Sequence, residues 1–319
     1  MADISGLELD NLSVKITEHG RNGFYVLRNV SFAFKTPEVV GILGESGSGK
    51  SILAKEICGL NSYPVTKLSG SVSFNGKTLS TKKDYAGVRG KQISMIFQHP
   101  ASALNPVMTI GDQMTETILH HKMAPNKNSA AELAISLLED TGIQHPTDRM
   151  RSYPHQLSGG MNQRVMIAMA LSTQPQLMIA DEPTTALDVI TQEQIIKLLS
   201  DLGKKRGYST LFITHNISLM QKIADRVLVL YAGEMMEMLT GEKLAAGKTR
   251  HPCTSALKKC LPALSHIGSS LPTIPGQIAK NDERYDNCCI FHERCLYTQP
   301  RCRSEKPEFT DGVRCFYPL

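Results

Sequence analysis

Hydrophobic positions along the chain follow two periods, and the order in which those periods alternate predicts a layered α/β fold. In the first forty residues apolar side chains recur at every second position, at Leu7 and Leu9 and then at Val30, Phe32 and Phe34. This predicts antiparallel strands joined by a loop around Gly20 and Gly23. A second hairpin is predicted from Ser71–Phe74, Asn75-Gly76 and Lys77–Leu79, because Asn-Gly tolerates the positive φ of a two-residue turn. Val39 to Leu43 is apolar throughout and reads as a buried strand, followed by a glycine-rich loop and a helical run from Ser51 to Leu60. Further buried strands are predicted at Ile93–Phe97, Leu177–Ala180 and Thr210–Thr214, separated by helical patterns at Ala130–Leu138, Asn162–Leu171 and Thr191–Leu202. Such alternation predicts a parallel sheet wrapped in helices. His99 to Gln156 carries amphipathic runs and no core strand, the pattern of a helical insertion between two strands. Beyond Leu239 the pattern weakens and Pro and Cys accumulate, with one helix predicted over Ala245–Gly268. A domain boundary near Thr249 follows, with residues 1–248 as the main domain and 249–319 as a C-terminal extension.

Composition narrows the function. Apolar residues make up 41% of the 319, as in ordinary globular chains, and the net charge of +5 comes from 35 basic and 30 acidic residues without a run of five like charges. A nucleic-acid partner is therefore not expected. The first ten residues carry Asp3, Glu8 and Asp10 and lack the features of a secretion signal, so a cytoplasmic location is expected. The strongest apolar run, Val227 to Ala232, is far shorter than the roughly 20 residues of a membrane helix. Any membrane role must come through partner polypeptides.

Two segments carry phosphoryl-transfer chemistry. Gly44-Glu45-Ser46-Gly47-Ser48-Gly49-Lys50-Ser51 fits G-x-x-x-x-G-K-S between a predicted strand and a predicted helix. Its glycines let backbone N–H groups converge on phosphate oxygens, Lys50 reaches the β- and γ-phosphates, and the Ser51 hydroxyl is a ligand for Mg²⁺. Leu177 to Glu182 ends an apolar strand in two carboxylates. Asp181 is placed for the Mg²⁺ shell, and Glu182 for orienting and deprotonating an attacking water. A bare acidic pair after a strand is ordinarily only a turn; the phosphate loop changes that reading.

Leu157-Ser158-Gly159-Gly160-Met161-Asn162-Gln163-Arg164 resembles the signature sequence of ABC ATPases. A serine and two glycines opening a helix make a second anion site of backbone N–H groups. The resemblance implies a head-to-tail dimer in which Ser158, Gly159 and Gly160 close over ATP held by a partner's phosphate loop. It further implies that Gln98 is the Q-loop glutamine at Mg²⁺ or water, Ala186-Leu187-Asp188 the D-loop, and His215 the switch histidine at the γ-phosphate. The implied fold is a P-loop NTPase with a RecA-like parallel-sheet core, an N-terminal antiparallel β subdomain, a helical insertion and a small cysteine-containing extension. Ile96-Phe97-Gln98, Ala103-Leu104-Asn105-Pro106 and Ala180 to Asp188 resemble the peptide and nickel importer group most, along about Leu7 to Pro318. That implies an ATPase on the cytoplasmic face of a membrane, serving two permease subunits, a second ATPase of similar sequence and, indirectly, a substrate-binding protein. Two positions depart from the group: Ile16 stands where an aromatic would stack on adenine, with Tyr25 a weak substitute, and Cys253 follows His251-Pro252 where tyrosine is usual.

Seven of the eight cysteines lie beyond position 250, and Cys58, in an apolar helical stretch, reads as a buried small hydrophobe. Cys289, Cys295, Cys302 and Cys315 form a thiol group in a segment too short to build its own core, with Cys288 competing for the first place. Resemblance to peptide-importer tails implies a four-iron iron–sulfur cluster; zinc and free thiols are the alternatives. An exporter ATPase shares the catalytic motifs and stays a rival. A soluble ABC protein of DNA repair or translation fits less well, since there is one phosphate loop and no sustained heptad pattern.

Overall fold

The computed structural model describes residues 6–17, 23–98, 103–184, 187–260, 273–282 and 285–319. Ten strands lie among them: β1 (Gly6–Ile16), β2 (Phe24–Lys35), β3 (Val39–Leu43), β4 (Val65–Phe74), β5 (Lys77–Thr78), β6 (Ile93–Ile96), β7 (Leu177–Asp181), β8 (Ser209–Ile213), β9 (Arg226–Tyr231) and β10 (Glu234–Thr240). The chain divides into two compact units, one of Met1–Ser80 with Ile213–Leu319 and the other of Thr81–Phe212. The boundary expected near Thr249 falls inside the first unit.

In the first unit, an antiparallel sheet runs in the order β2-β1-β4-β5. Leu7 pairs with Phe34 and Phe74, and Leu9 with Phe32 and Val72, so the alternating apolar positions share one buried face. The β4–β5 hairpin turns at Asn75 and Gly76, both with positive φ, and Asn75 Oδ1 accepts from the Gly6 N–H at 3.0 Å. Gly20 lies outside the described residues. A second group of strands runs β10-β9-β3, with β3 parallel to β9 and β9 antiparallel to β10.

The β9–β10 hairpin is absent from the sequence reading, where Val227–Ala232 is only an apolar run. The reason is chemical: Glu234 and Glu237 interrupt the apolar pattern of β10, yet each is only 1% exposed. Their partners come from the extension. Glu234 accepts from Lys306 Nζ at 2.6 Å and from Asn281 Nδ2 at 3.0 Å, while Glu237 accepts from the backbone N–H groups of Arg250 and His251. Both oxygens of Glu237 are thus bonded, while both bonds to Glu234 fall on Oε1 and its Oε2 has only the Arg314 guanidinium at 3.9 Å; carboxylates paired in this way are compatible with a buried strand.

The extension shares its apolar core with this hairpin: Tyr231 and Met236 pack with Cys253, Tyr285, Ile290 and Phe291. Cys253, the departure from the expected tyrosine, is fully buried there, and burial pushes its thiol upward. The helix expected over Ala245–Gly268 is instead two short helices, Gly241–Ala245 and Pro252–Lys259. Gly247 in the left-handed region ends the first, and Pro252 at the first position opens the second. Residues 261–268 lie outside the described residues.

In the second unit the strands run β8-β7-β6, with Ile93 to Ile96 of β6 parallel to Leu177 to Ala180 of β7. Between β6 and β7 the described residues hold helices and no strand, as the insertion predicts; His99 itself lies outside them. Ile110–His120 and Lys127–Asp140 open on Thr109 and Asn126, whose side chains accept from Asp112 and Ser129 N–H groups. Their buried faces, Ile110, Met114 and Ile118 on one and Ala130, Ala134 and Leu138 on the other, have helical spacing. No helix among the described residues is long and apolar enough to cross a membrane.

Asn281 is 1% exposed and donates to Ala232 O and Glu234 Oε1 while accepting from Arg28 Nη1. Asn281→Ala strips those buried groups of partners and is expected to cost about 1–3 kcal/mol. The check is a lowered thermal midpoint relative to the parent chain, with an exposed control such as Asn128→Ala unchanged.

Candidate functional site

The first unit carries the phosphate loop. β3 delivers the chain into Gly44 to Gly49, and the helix Lys50–Ile57 leaves it. Lys50 is 5% exposed, and its ammonium donates to Gly44 O and Glu45 O at 2.9 Å and to Ser48 Oγ at 3.4 Å. Gly49 has φ 102°, and a Cβ there would stand 2.3 Å from Val26 O; a Cβ at Gly44 would stand 2.3 Å from Leu230 O. Both positions therefore demand glycine for space, and Gly49 for conformation as well. Ser51, the second residue of that helix, is half-buried, Ser46 and Gly47 are exposed, and His215 is exposed just after β8.

Sequence reasoning missed what holds this loop from the side. Arg294, with its side chain 6% exposed, donates through Nη1 to Glu45 Oε2 at 3.0 Å and through Nε to Pro275 O at 2.8 Å. Nothing in the sequence marks an arginine 249 residues downstream as a partner of the loop.

The second unit carries the acidic and signature residues. Asp181 ends β7 at 4% exposure. Glu182 follows with φ 45°, a left-handed conformation that costs a non-glycine residue about 1–3 kcal/mol and recurs at functional positions. Gln98 Nε2 donates to Glu182 Oε2 at 3.0 Å, so two residues 84 apart in sequence meet. Ser158 caps the helix Gly159–Leu171 by accepting from the Met161 N–H, leaving Ser158 and Gly159 exposed at its start. Gly160 is confined: a Cβ would lie 3.0 Å from Thr191 Cγ2. Asp188 caps the helix Val189–Arg206, accepting from the Thr191 N–H and hydroxyl. Ala186 lies outside the described residues.

In the extension, Cys289, Cys295, Cys302 and Cys315 line one small cavity of about 10 Å³ together with His251 and Phe291. Burial pushes the Cys289 thiol up to about 12, with Cys302, Cys315 and Cys295 adding to the effect, and raises Cys295 and Cys315 as well. Burial lowers His251 to about 3, and its Nδ1 accepts from the Cys253 N–H. Cys288 belongs to the neighbouring apolar core instead. The described residues contain no group of three or more His, Cys, Asp or Glu arranged to hold a single metal ion.

The sequence profile of the family described as ABC transporter matches residues 27–185, spanning the phosphate loop, the signature segment and Asp181-Glu182. The dipeptide transport ATP-binding protein DppD of Escherichia coli is 42% identical over 98% of this chain and 97% of its own length. The chain belongs to the ABC transporter family. Within this family, the oligopeptide transport ATP-binding protein AppD of Bacillus subtilis is 41% identical over 90% of this chain and 89% of its own. Among solved structures, a dimeric post-hydrolysis state of the ATP-binding cassette MJ0796 bound to ADP and Pi matches with a TM-score of 0.66 at 28% identity. That match covers 73% of this chain and 98% of the cassette, so it takes in nearly all of the cassette and leaves more than a quarter of this chain outside it. CbiO1 from Clostridium perfringens, part of the transporter complex cbiONQ, matches at 26% identity and TM-score 0.65, over 82% of this chain and 96% of its own. The expected ABC ATPase fold is thereby shown, with its mixed α/β architecture and antiparallel N-terminal sheet.

Gly49→Ala forces both a clash with Val26 O and a disfavoured φ. It is expected to weaken nucleotide binding by about tenfold or more, equivalent to at least 1.4 kcal/mol, measured by titration calorimetry on the folded chain.

Proposed function

We propose that this chain is the motor of an importer for dipeptides or oligopeptides, acting at the cytoplasmic face of a membrane on permease subunits that are separate polypeptides. Family membership makes ATP binding and hydrolysis its chemistry. The peptide cargo is supported by the names of relatives that align along nearly the whole chain, DppD and AppD.

In this reading Lys50 and the loop N–H groups bind the β- and γ-phosphates, and His215 meets the γ-phosphate. Ser51, Asp181 and Gln98 are the residues that would hold Mg²⁺; their hard oxygen donors suit it, and it would neutralise charge on the phosphate oxygens. Glu182 is the general base for water. The observation that carries this assignment is the Gln98–Glu182 hydrogen bond, which fixes one carboxylate oxygen and so the direction of the other. Ser158 and Gly159, exposed at a capped helix start, form the anion site that a second copy or a similar ATPase would use across a head-to-tail dimer, with Asp188 nearby on the next helix. The solved dimeric state of MJ0796 bound to ADP and Pi supports pairing of two such ATPases. A heterodimer with a similar ATPase, fed by a substrate-binding protein, is the assembly proposed.

The extension is proposed to hold a four-iron cluster on Cys289, Cys295, Cys302 and Cys315. Four thiols lining one cavity make the right donor set, and a bound cluster would supply structural cross-linking to a segment with little core of its own.

Glu182→Gln is expected to keep ATP affinity and to lower turnover by about 10²–10⁴-fold, trapping a closed dimer visible by size exclusion; normal turnover sinks the assignment. In lipid with its permeases, the wild-type ATPase is expected to respond to a peptide-loaded binding protein and not to a nickel-loaded one. A response to neither, with basal activity intact, points to an exporter or to another cargo. Anaerobic purification is expected to yield about four irons and matching labile sulfide per chain, lost on Cys302→Ser; stoichiometric zinc, or no metal after reconstitution, refutes the cluster.

A further inference from the structure

Beside the phosphate loop lies an open cavity of about 440 Å³, lined by Glu45 and Gly47 of the loop, Tyr25 and Val26 of β2, and Gln277 and Ile278 of the extension. Its size suits a base and ribose, since small-molecule sites run from about 300 to 1,000 Å³. A nucleotide whose phosphates occupy the loop must place its base nearby, and the question is which surface receives it.

The aromatic candidates are already engaged. The Tyr25 ring carries the Arg28 guanidinium 4.7 Å from its centroid and the Lys15 ammonium at 5.4 Å, while Phe24 carries Lys280 at 5.6 Å. Ile16, at the place where an aromatic is expected, is not among the residues around the cavity. The apolar surface that remains belongs to Val26 on one side, to half-buried Ile278 and Ala279 on the other, and to the buried Ala232.

That second side is held in place by several independent bonds. Tyr25 N–H donates to Asn281 O at 2.8 Å, pairing the segment antiparallel to β2, and Ala279 N–H donates to the Tyr231 hydroxyl at 3.3 Å. One guanidinium then ties the segment to the loop itself: Arg294 donates to Ile274 O and Pro275 O, immediately before the wall, and to Glu45 Oε2. A wall fixed before the ligand arrives loses little freedom on binding.

We infer that the C-terminal extension supplies one wall of the pocket for the nucleotide's base, Ile278 and Ala279 giving the apolar contact and Gln277 meeting the base edge. Gln277 is exposed and its amide both donates and accepts, as a purine edge requires. The inference rests on the reading of Gly44 to Ser51 as the phosphate site. Nucleotide recognition then draws on residues from the extension as well as from the loop and β2.

The test is calorimetry on the full chain with Mg·ATP and with Mg·tripolyphosphate, which keeps the phosphates and lacks the base. Wild type is expected to bind ATP about tenfold more tightly than tripolyphosphate. Gln277→Ala and Ile278→Ala are each expected to lose about three- to tenfold in ATP affinity with tripolyphosphate binding unchanged. Gln277 is at the surface, so its variant folds and keeps the test decisive even where Ile278→Ala destabilises. Unchanged ATP affinity in Gln277→Ala together with Ile278→Ala, or equal losses for both ligands, overturns the base wall. Wild type binding neither ligand overturns the phosphate-loop reading itself, and the wall with it.

Discussion

A lysine ammonium held almost out of water, at Lys50, is the constraint on which the first unit depends. A buried cation is costly unless acceptors surround it, and here the acceptors are Gly44 O, Glu45 O and Ser48 Oγ. They converge because the loop curls, which requires glycine at Gly44 and Gly49. The turn between β9 and β10 closes over that curl, bringing Leu230 O against Gly44 and the Gly233 N–H to Ser48 O. That hairpin in turn buries Glu234 and Glu237, which only the extension can satisfy. A chain of polar obligations thus leads from the phosphate loop to Lys306 and Asn281 near the other end of the sequence.

The same dependence explains what was legible in the sequence. The loop, the signature helix and the acidic strand end are contiguous words, each with its own spacing, and the structure places each at the strand or helix end its pattern predicts. The N-terminal hairpins were legible because Asn75-Gly76 and the Leu7, Leu9 alternation are local. β10 was not, because its two glutamates look solvent-seeking until their partners arrive from residues 250 to 306. Arg294 and Asn281 were not, because a single arginine or asparagine has no pattern, only a position in space. The break between the two helices near Gly247 was present in the residues, as Gly and Pro, but apolar spacing hid it.

In the second unit the same logic operates at smaller scale. Glu182 stands in a conformation that non-glycine residues avoid, and the amide of Gln98 fastens its carboxylate. A strained backbone with a tethered side chain has few alternatives open to it. In the proposed mechanism this means the base is oriented before water arrives, so little reorganisation remains for the reacting state. Because Gln98 lies at the mouth of the helical insertion, a shift in that insertion reaches the base through one hydrogen bond.

The Arg294–Glu45 pair also has a consequence for synthesis. Its two members are 249 residues apart, and at the usual pace of about 5–20 residues per second a ribosome takes on the order of 12 to 50 seconds to travel from one to the other. Throughout that interval Glu45 stands without its arginine, and Glu234, made only in the last part of it, waits longer still for Lys306, which follows Arg294 in the chain. The emerging polypeptide therefore passes through an extended stage with unmatched charge, when a chaperone has most to cover, and the phosphate loop gains its lateral support only once Arg294 has been made.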